Sequence, residues 1–174
     1  MKKLFSVFVL TFCVILISSY SYMSLPVELI QAIQDKKISV SVISTGSYSG
    51  KCIQLNIKNL TNLPYTLSIA AGTIFIPEDE GEQTILVPQK NIIALHPSET
   101  KRTLVDGFCT ELKDRCPQTS STFSISKNRN QALGDLVQFM APLKNLDESL
   151  IQQSIWCITD GESPSNLSSV NTLN

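Results

Sequence analysis

Five cysteines and a single histidine are the residues of this chain whose types suit covalent chemistry. A cysteine nucleophile needs a general base within hydrogen-bond reach, so Cys52 with His96 and Cys157 with His96 are the candidate pairs. A serine hydrolase would depend on the same His96, but the segment 46–50 (Gly-Ser-Tyr-Ser-Gly) predicts a hairpin turn and not the strand-to-helix elbow of such enzymes. We therefore predict no catalytic residue and a protein that is not an enzyme. An exported hydrolase or thiol enzyme using His96 is the alternative.

Metal and cofactor sites are also predicted to be absent. The acidic segment 78–82 offers clustered carboxylates of the kind that calcium prefers, but it does not match the loop of a helix–loop–helix calcium site. A solvated acidic loop is the favoured interpretation, because short charge runs usually face water. Zinc is disfavoured because six residues separate Cys109 from Cys116 and Pro97 follows His96. No glycine loop suited to phosphate or a dinucleotide occurs, so we predict no cofactor.

Length and charge restrict the class of protein. The 174 residues, 43% hydrophobic and 17% charged, suit one globular domain. The formal charge is 14 − 15 = −1, and basic residues adjoin one another only in pairs such as Lys101-Arg102. This balance is unlike that of a strongly basic protein, so we predict no nucleic-acid partner.

The N-terminal segment has the layout of a secretory signal peptide. Lys2 and Lys3 precede an almost wholly apolar stretch over residues 4–17, and small residues Ser19 and Ser21 suit cleavage after Ser21. The prediction is a signal peptide over 1–21 and a secreted, periplasmic or extracellular protein. The alternative is an uncleaved anchor, because residues 4–27 carry no charge. The chain would then be a membrane-tethered structural subunit.

Four cysteines remain after such a cleavage, because Cys13 lies within the apolar stretch. An even number of cysteines in an exported chain predicts disulfides. The favoured pairs are Cys109–Cys116, which a short polar excursion separates, and Cys52–Cys157, which would join an early strand to the last helix. The alternative is that Cys52 and Cys157 are buried thiols, because apolar residues flank both.

The hydrophobic pattern predicts a helix, then strands, then helices. A helix is expected over 24–37, with Ser24 as its cap and Pro26 in its first turn. Period-two alternation, or a short apolar run, predicts strands in eight segments: 38–42, 53–57, 65–69, 73–76, 84–87, 91–95, 103–105 and 122–125. Apolar stripes predict one or two C-terminal helices, up to Pro142 and up to Gly161. Residues 163–174, rich in serine and asparagine, are predicted to be a flexible polar tail.

Short strands at near-regular spacing, separated by glycine and proline, favour an antiparallel sandwich or barrel. The segment 38–125 resembles the immunoglobulin-like sandwich modules of exported proteins in its strand rhythm and in the Asn-Leu-Thr-Asn turn at 59–62. We therefore predict a mainly β, immunoglobulin-like sandwich over 22–162 with flanking helices. The cysteine–tryptophan–cysteine spacing of antibody domains is absent, because Trp156 lies in a predicted helix.

The resemblance implies a general role in adhesion or binding and no particular functional residue. The predicted function is an exported, non-catalytic binding or accessory module for protein–protein interaction at or outside the cell surface, with a glycan as the second class of partner. Asn59 and Asn166 start sequons, which would accept glycans in a eukaryotic secretory route. Gln152, Gln153 and Trp156 are candidates for an exposed patch, although packing against the sheet is the favoured role for the tryptophan.

Overall fold

The structure is a computed structural model that describes residues 25–126, 130–143 and 145–163. Strands dominate these residues, and all eight segments with predicted strand patterns form strands. The elements in chain order are β1 (Val27–Glu28), α1 (Leu29–Gln34), β2 (Ile38–Ser44), β3 (Ser49–Asn59), β4 (Tyr65–Ile69), β5 (Ile74–Pro77), β6 (Ile85–Leu86), β7 (Asn91–Leu95), β8 (Thr100–Cys109), β9 (Thr122–Ile125), α2 (Gln131–Met140) and α3 (Glu148–Thr159).

Six of the strands close into a barrel in the order β2-β3-β8-β6-β5-β9, and β1, β4 and β7 form a separate sheet. The prediction of an immunoglobulin-like sandwich is therefore wrong, because the strands form a closed barrel and a separate three-stranded sheet. The reason lies in β9, which pairs on one edge with β2 (Val42↔Phe123) and on the other with β5 (Phe75↔Ile125). A strand that pairs on both edges joins the ends of the sheet and leaves no edge open.

The barrel interior and the inner face of the smaller sheet share one hydrophobic core. Phe75 of β5, at 0% exposure, is among the largest fully buried side chains. Alternate residues of β3, such as Leu55 and Ile57, point into the same core. Burial of this continuous apolar surface is the main term that favours the folded barrel.

A second core forms outside the barrel, where the two C-terminal helices cover β6 and β8. Leu86 and Phe108 point outward from these strands and pack with Leu133 of α2 and Ile155 of α3. Asn130 caps α2 by accepting a hydrogen bond from the Leu133 amide at 3.2 Å. The predicted C-terminal helices are thus confirmed, and they cover one side of the barrel from outside.

The predicted helix over 24–37 is shorter in the structure, where α1 spans only Leu29–Gln34. The preceding Val27–Glu28 pairs with β4 as a parallel strand. At the other end, Lys36 adopts a left-handed conformation with φ of 53°, and the Lys37 amide donates to the Ala32 carbonyl at 3.0 Å. This Schellman-type arrangement ends the helix and directs the chain into β2.

Two predictions concern residues beyond the described ranges. The signal peptide over 1–21, like its membrane-anchor alternative, lies outside the described residues and has no support in the structure. Of the predicted tail, only Ser163 is described. Within the ranges that the structure covers, we find no helix that combines the length and apolar character needed to cross a membrane.

Candidate functional site

His96 lies in the exposed turn between β7 and β8, and Asn59 fixes the backbone of this turn. The Asn59 Nδ2 donates to the His96 and Leu63 carbonyls, both at 2.8 Å, and Oδ1 accepts from the Thr61 amide at 2.9 Å. Asn59 is 1% exposed. A glycan on this nitrogen would displace at least one of these bonds. The second sequon asparagine, Asn166, lies outside the described residues.

The structure does not bring either candidate cysteine to His96. Cys52 lies seven residues from Asn59 along β3, which corresponds to about 23 Å at the rise of a strand. Cys157 lies on α3, which packs near the opposite end of β8, where Gln152 donates to the Cys109 carbonyl at 2.6 Å. A base must lie within hydrogen-bond reach of its nucleophile, so neither Cys–His pair is assembled.

The predicted disulfides are wrong, because Cys52, Cys109, Cys116 and Cys157 are all free thiols. Cys52 is 1% exposed and points into the barrel, whereas Cys157 lies on a helix outside it. The Cys116 thiol donates to the Gly46 and Pro117 carbonyls at 3.9 and 3.7 Å, and it forms no covalent bond with Cys109. The alternative of a buried thiol therefore describes Cys52.

Burial disfavours the thiolate form of three cysteines. Desolvation raises the pKa of Cys52 to about 12 and raises the pKa of Cys109 further. Burial also raises the pKa of Cys116, despite the hydrogen bond from Cys109 that lowers it. The thiolate is the reactive form of cysteine, so these groups are weak nucleophiles at neutral pH.

We predict that thiol labelling separates these cysteines. In the native protein at pH 8, Cys52 and Cys109 should stay unmodified by iodoacetamide, while Cys116 and Cys157 should react, because only the latter two have exposed surface. All four should react after denaturation without reductant, and mass spectrometry of tryptic peptides assigns the sites. A serine variant of Cys116 controls for its effect on Cys109. Missing label on two cysteines in the denatured, unreduced protein would contradict the free-thiol arrangement.

The acidic loop is anchored by one of its own carboxylates. Glu82 is 5% exposed, and its Oε1 accepts from the Gln118 amide at 3.1 Å and from the Ser121 hydroxyl at 2.9 Å. Asp79 pairs with Arg115 at 2.9 Å, and the pKa of Asp79 is lowered by the Gly81 amide and the Arg115 guanidinium. The solvated loop predicted from sequence is correct for Asp79 but wrong for Glu82. Among the described residues, no three His, Cys, Asp or Glu side chains lie where they could hold a metal ion.

Clefts open between the described elements. A cleft of about 200 Å³ is lined by Lys90, Asp106 and Glu148 among others, near the start of α3. A groove of about 360 Å³ lies between α1 and the barrel, with Val40 and Phe123 in its wall. His96 and the cysteines line neither cleft, so neither assembles thiol or imidazole chemistry.

The outer surface of β2, β3 and β8 forms an exposed face of neutral hydrogen-bonding groups and cations. We call it the polar face, and it consists of Lys37, Ser39, Ser41, Gln54, Asn56, Lys58, Thr100 and Arg102. Antiparallel pairing aligns these side chains in rows, since Ser41 is opposite Asn56 and Asn56 is opposite Arg102. The Asn56 amide donates to the Ser41 hydroxyl at 3.2 Å, and the Gln54 amide donates to the Asn56 carbonyl oxygen at 3.2 Å.

The polar alternation of β2 and β3 is visible in the sequence, but it does not identify this face as a site. The sequence signal is the run of polar residues at every second position, in Ser39 and Ser41 and then in Gln54, Asn56 and Lys58. The contribution of β8 is hidden, because Thr100 and Arg102 come after four intervening strands. By contrast, Gln152, once a candidate for an exposed patch, is 3% exposed and supports the end of β8.

Comparisons with known proteins give no family for this chain. No protein-family model, curated protein or solved structure matches it. The immunoglobulin-like resemblance therefore has no support from a related protein. What supports a function is the chemistry of the chain's own exposed groups.

Proposed function

We propose that this chain is a non-catalytic binding module that acts outside the cytoplasm and recognises a protein partner through the polar face. The observation that carries the proposal is the composition of this face. It presents hydroxyl, amide and cationic groups on three adjacent strands, and the carboxylate further along the same side of β8, Asp106, is paired with Lys51 at 2.6 Å. The export part of the proposal is supported by the sequence of residues 1–21 alone.

The backbone beneath the face supports a role in recognition. β2 and β3 are paired in unbroken register over seven residue pairs, and β3 and β8 are paired along most of their length. Strand pairing already orders the backbone that carries these side chains, so binding costs less conformational entropy. Short side chains such as Ser39, Ser41 and Thr100 lose little rotamer entropy when a partner covers them.

The arrangement of the other candidate groups supports a non-catalytic role over the thiol or hydrolase alternative. His96 has no cysteine within reach among the described residues, and burial keeps the Cys52 and Cys109 thiols protonated. A glycan is the second class of partner, because the amides of Gln54 and Asn56 suit sugar hydroxyls.

Site-specific photocrosslinking tests the proposal. A photoreactive residue at Asn56 should capture one exported protein, whereas the same residue at Glu80, in the exposed acidic loop, should not. Excess wild-type protein should compete with the capture, and a Ser41→Tyr/Thr100→Tyr variant, which places bulky uncharged side chains on the face, should compete at least about tenfold less well. Capture should be unchanged in His96→Ala, because His96 makes its hydrogen bonds through its backbone amide and carbonyl, which alanine keeps.

Three results would overturn the proposal. The first is equal capture from Asn56 and Glu80. The second is undiminished competition by the Ser41→Tyr/Thr100→Tyr variant when circular dichroism confirms its fold. The third is a turnover of any substrate that His96→Ala abolishes, which would favour the enzyme alternative.

A further inference from the structure

We infer that the polar face binds an extended acidic peptide segment whose carboxylates occupy alternate positions, with Lys37, Lys58 and Arg102 as their partners. The inference rests on the proposed function and specifies the chemistry of the partner.

The strand register places these three cations on one diagonal. Lys58 of β3 is opposite Ser39 of β2 and opposite Thr100 of β8. Arg102 is one row further along β8, opposite Asn56. Lys37 is one row in the other direction, since its carbonyl accepts from the Leu60 amide at 2.9 Å just beyond the β2–β3 ladder. Each step along the diagonal therefore moves by one strand and by two residues.

The spacing of the diagonal matches an extended peptide. Diagonal neighbours on one face of a sheet lie about 7–8 Å apart. Alternate residues of an extended chain point to the same side and repeat at about 6.4–6.8 Å. A partner segment that crosses the strands obliquely thus presents successive carboxylates to Lys37, Lys58 and Arg102. The serine, threonine and asparagine side chains between the cations can donate to the backbone carbonyls of the same segment.

The charge of the face lacks an internal counterion. Within the described residues, the ion pairs are Lys51–Asp106 at 2.6 Å and Arg115–Asp79, and neither uses a cation of the diagonal. The nearest acids in sequence are Asp35, which accepts from the Gln31 side-chain amide at 2.8 Å, and Glu99, which accepts from the His96 amide at 2.6 Å. Three unpaired cations on one face attract an anion, and salt screens this attraction.

A peptide fits this face better than a sulfated glycan because apolar side chains lie beside the charged diagonal. The row beyond Asn56 consists of Ile43, Gln54 and Leu104, and Leu104 is 45% exposed. Ile43 and Leu104, on either side of Gln54, give an apolar side chain of a peptide a place to pack beside the charged diagonal. A sulfated glycan would leave these apolar side chains largely uncovered.

Titration with two synthetic peptides tests the inference. One peptide has glutamate at alternate positions with serine between, and the other has the same composition with all glutamates adjacent. The alternating peptide should bind at least about threefold more tightly in about 20 mM salt and lose most of its affinity in about 500 mM salt. Lys58→Glu/Arg102→Glu should weaken binding by more than about tenfold, because it replaces attraction with repulsion.

A matched charge reversal elsewhere is the control. Lys90 and Lys113 are exposed, lie off the polar face and form no ion pair with a described residue. Lys90→Glu/Lys113→Glu should change binding by less than about threefold. An equal loss in the two double variants, or equal affinity for the two peptides, would overturn the inference. Tighter binding of a sulfated polysaccharide than of the alternating peptide, through the same two cations, would also overturn it.

The two proposals fail in different ways. Capture through Asn56 that survives Lys58→Glu/Arg102→Glu would leave the binding module intact and remove the acidic-peptide partner. Loss of specific capture at Asn56 would remove both.

Discussion

Replacing Phe75 with alanine should lower the free energy of unfolding by about 3–5 kcal/mol. The Phe75 ring has 0% exposure, and its strand pairs with β6 on one edge and with β9 on the other. Removing the ring leaves a cavity in the barrel beside the strands that close it, and the close packing of a protein interior limits collapse around such a cavity. Urea denaturation followed by circular dichroism gives the change, with the slope of the transition as a check on two-state behaviour.

Phe139 provides a matched control for this substitution. It is the same residue type, but it lies on α2 with 71% of its surface exposed. Phe139→Ala should therefore change the free energy of unfolding by less than about 1 kcal/mol. Similar losses in the two variants would mean that Phe75 does not lie in the closed interior, and the barrel would have to be rejected.

The strand content of the fold could be predicted because alternation is a local signal. In β3, Ile53, Leu55 and Ile57 alternate with polar residues, and the structure buries the former and exposes the latter at least in part. Barrel closure is not local. The same alternation fits a sandwich and a barrel, and the choice depends on whether β9 pairs with both β2 and β5.

The helix at the N-terminal side of the barrel shows a different limit. Ser24, Pro26 and the apolar spacing after them suit a helix start, yet Val27–Glu28 pairs with β4. A tertiary pairing here outweighs a local helix preference, as it commonly does for propensities below about 1 kcal/mol per residue. The disulfide prediction failed for a related reason: the number of cysteines says nothing about the sides of the barrel on which Cys52 and Cys157 lie.

The candidate site combines local and long-range information. The polar positions of β2 and β3 are visible in the sequence, and their alternation indicates which of them face solvent. The alignment of Lys37, Lys58 and Arg102 depends on the register of three strands, and a shift of one residue in β8 would turn Arg102 to the opposite face. Register is fixed by the whole barrel, so a single sequence does not reveal this diagonal.

Replacing Asn59 with alanine should destabilise the protein by about 2–4 kcal/mol, although Asn59 belongs to a surface turn in the sequence prediction. Its side chain joins the turn after β3 to the turn before β8 through hydrogen bonds to the Leu63 and His96 carbonyls and to Thr61. Alanine would leave these partners in a region where Asn59 itself is 1% exposed, so water replaces the lost bonds incompletely.

Asn62 in the same loop is the control, because it is exposed and the polar network around Asn59 does not include it. Asn62→Ala should change the free energy of unfolding by less than about 0.5 kcal/mol, measured by the same urea denaturation. Hydrogen exchange should localise the Asn59 effect, with faster exchange of the Ser98 amide, which donates to the Thr61 carbonyl at 3.0 Å. Equal stability of the two variants would show that the two turns are held by their strands alone. The buried Asn59 amide would then contribute nothing to the stability of the paired ends of β3 and β8 beside Lys58 and Thr100.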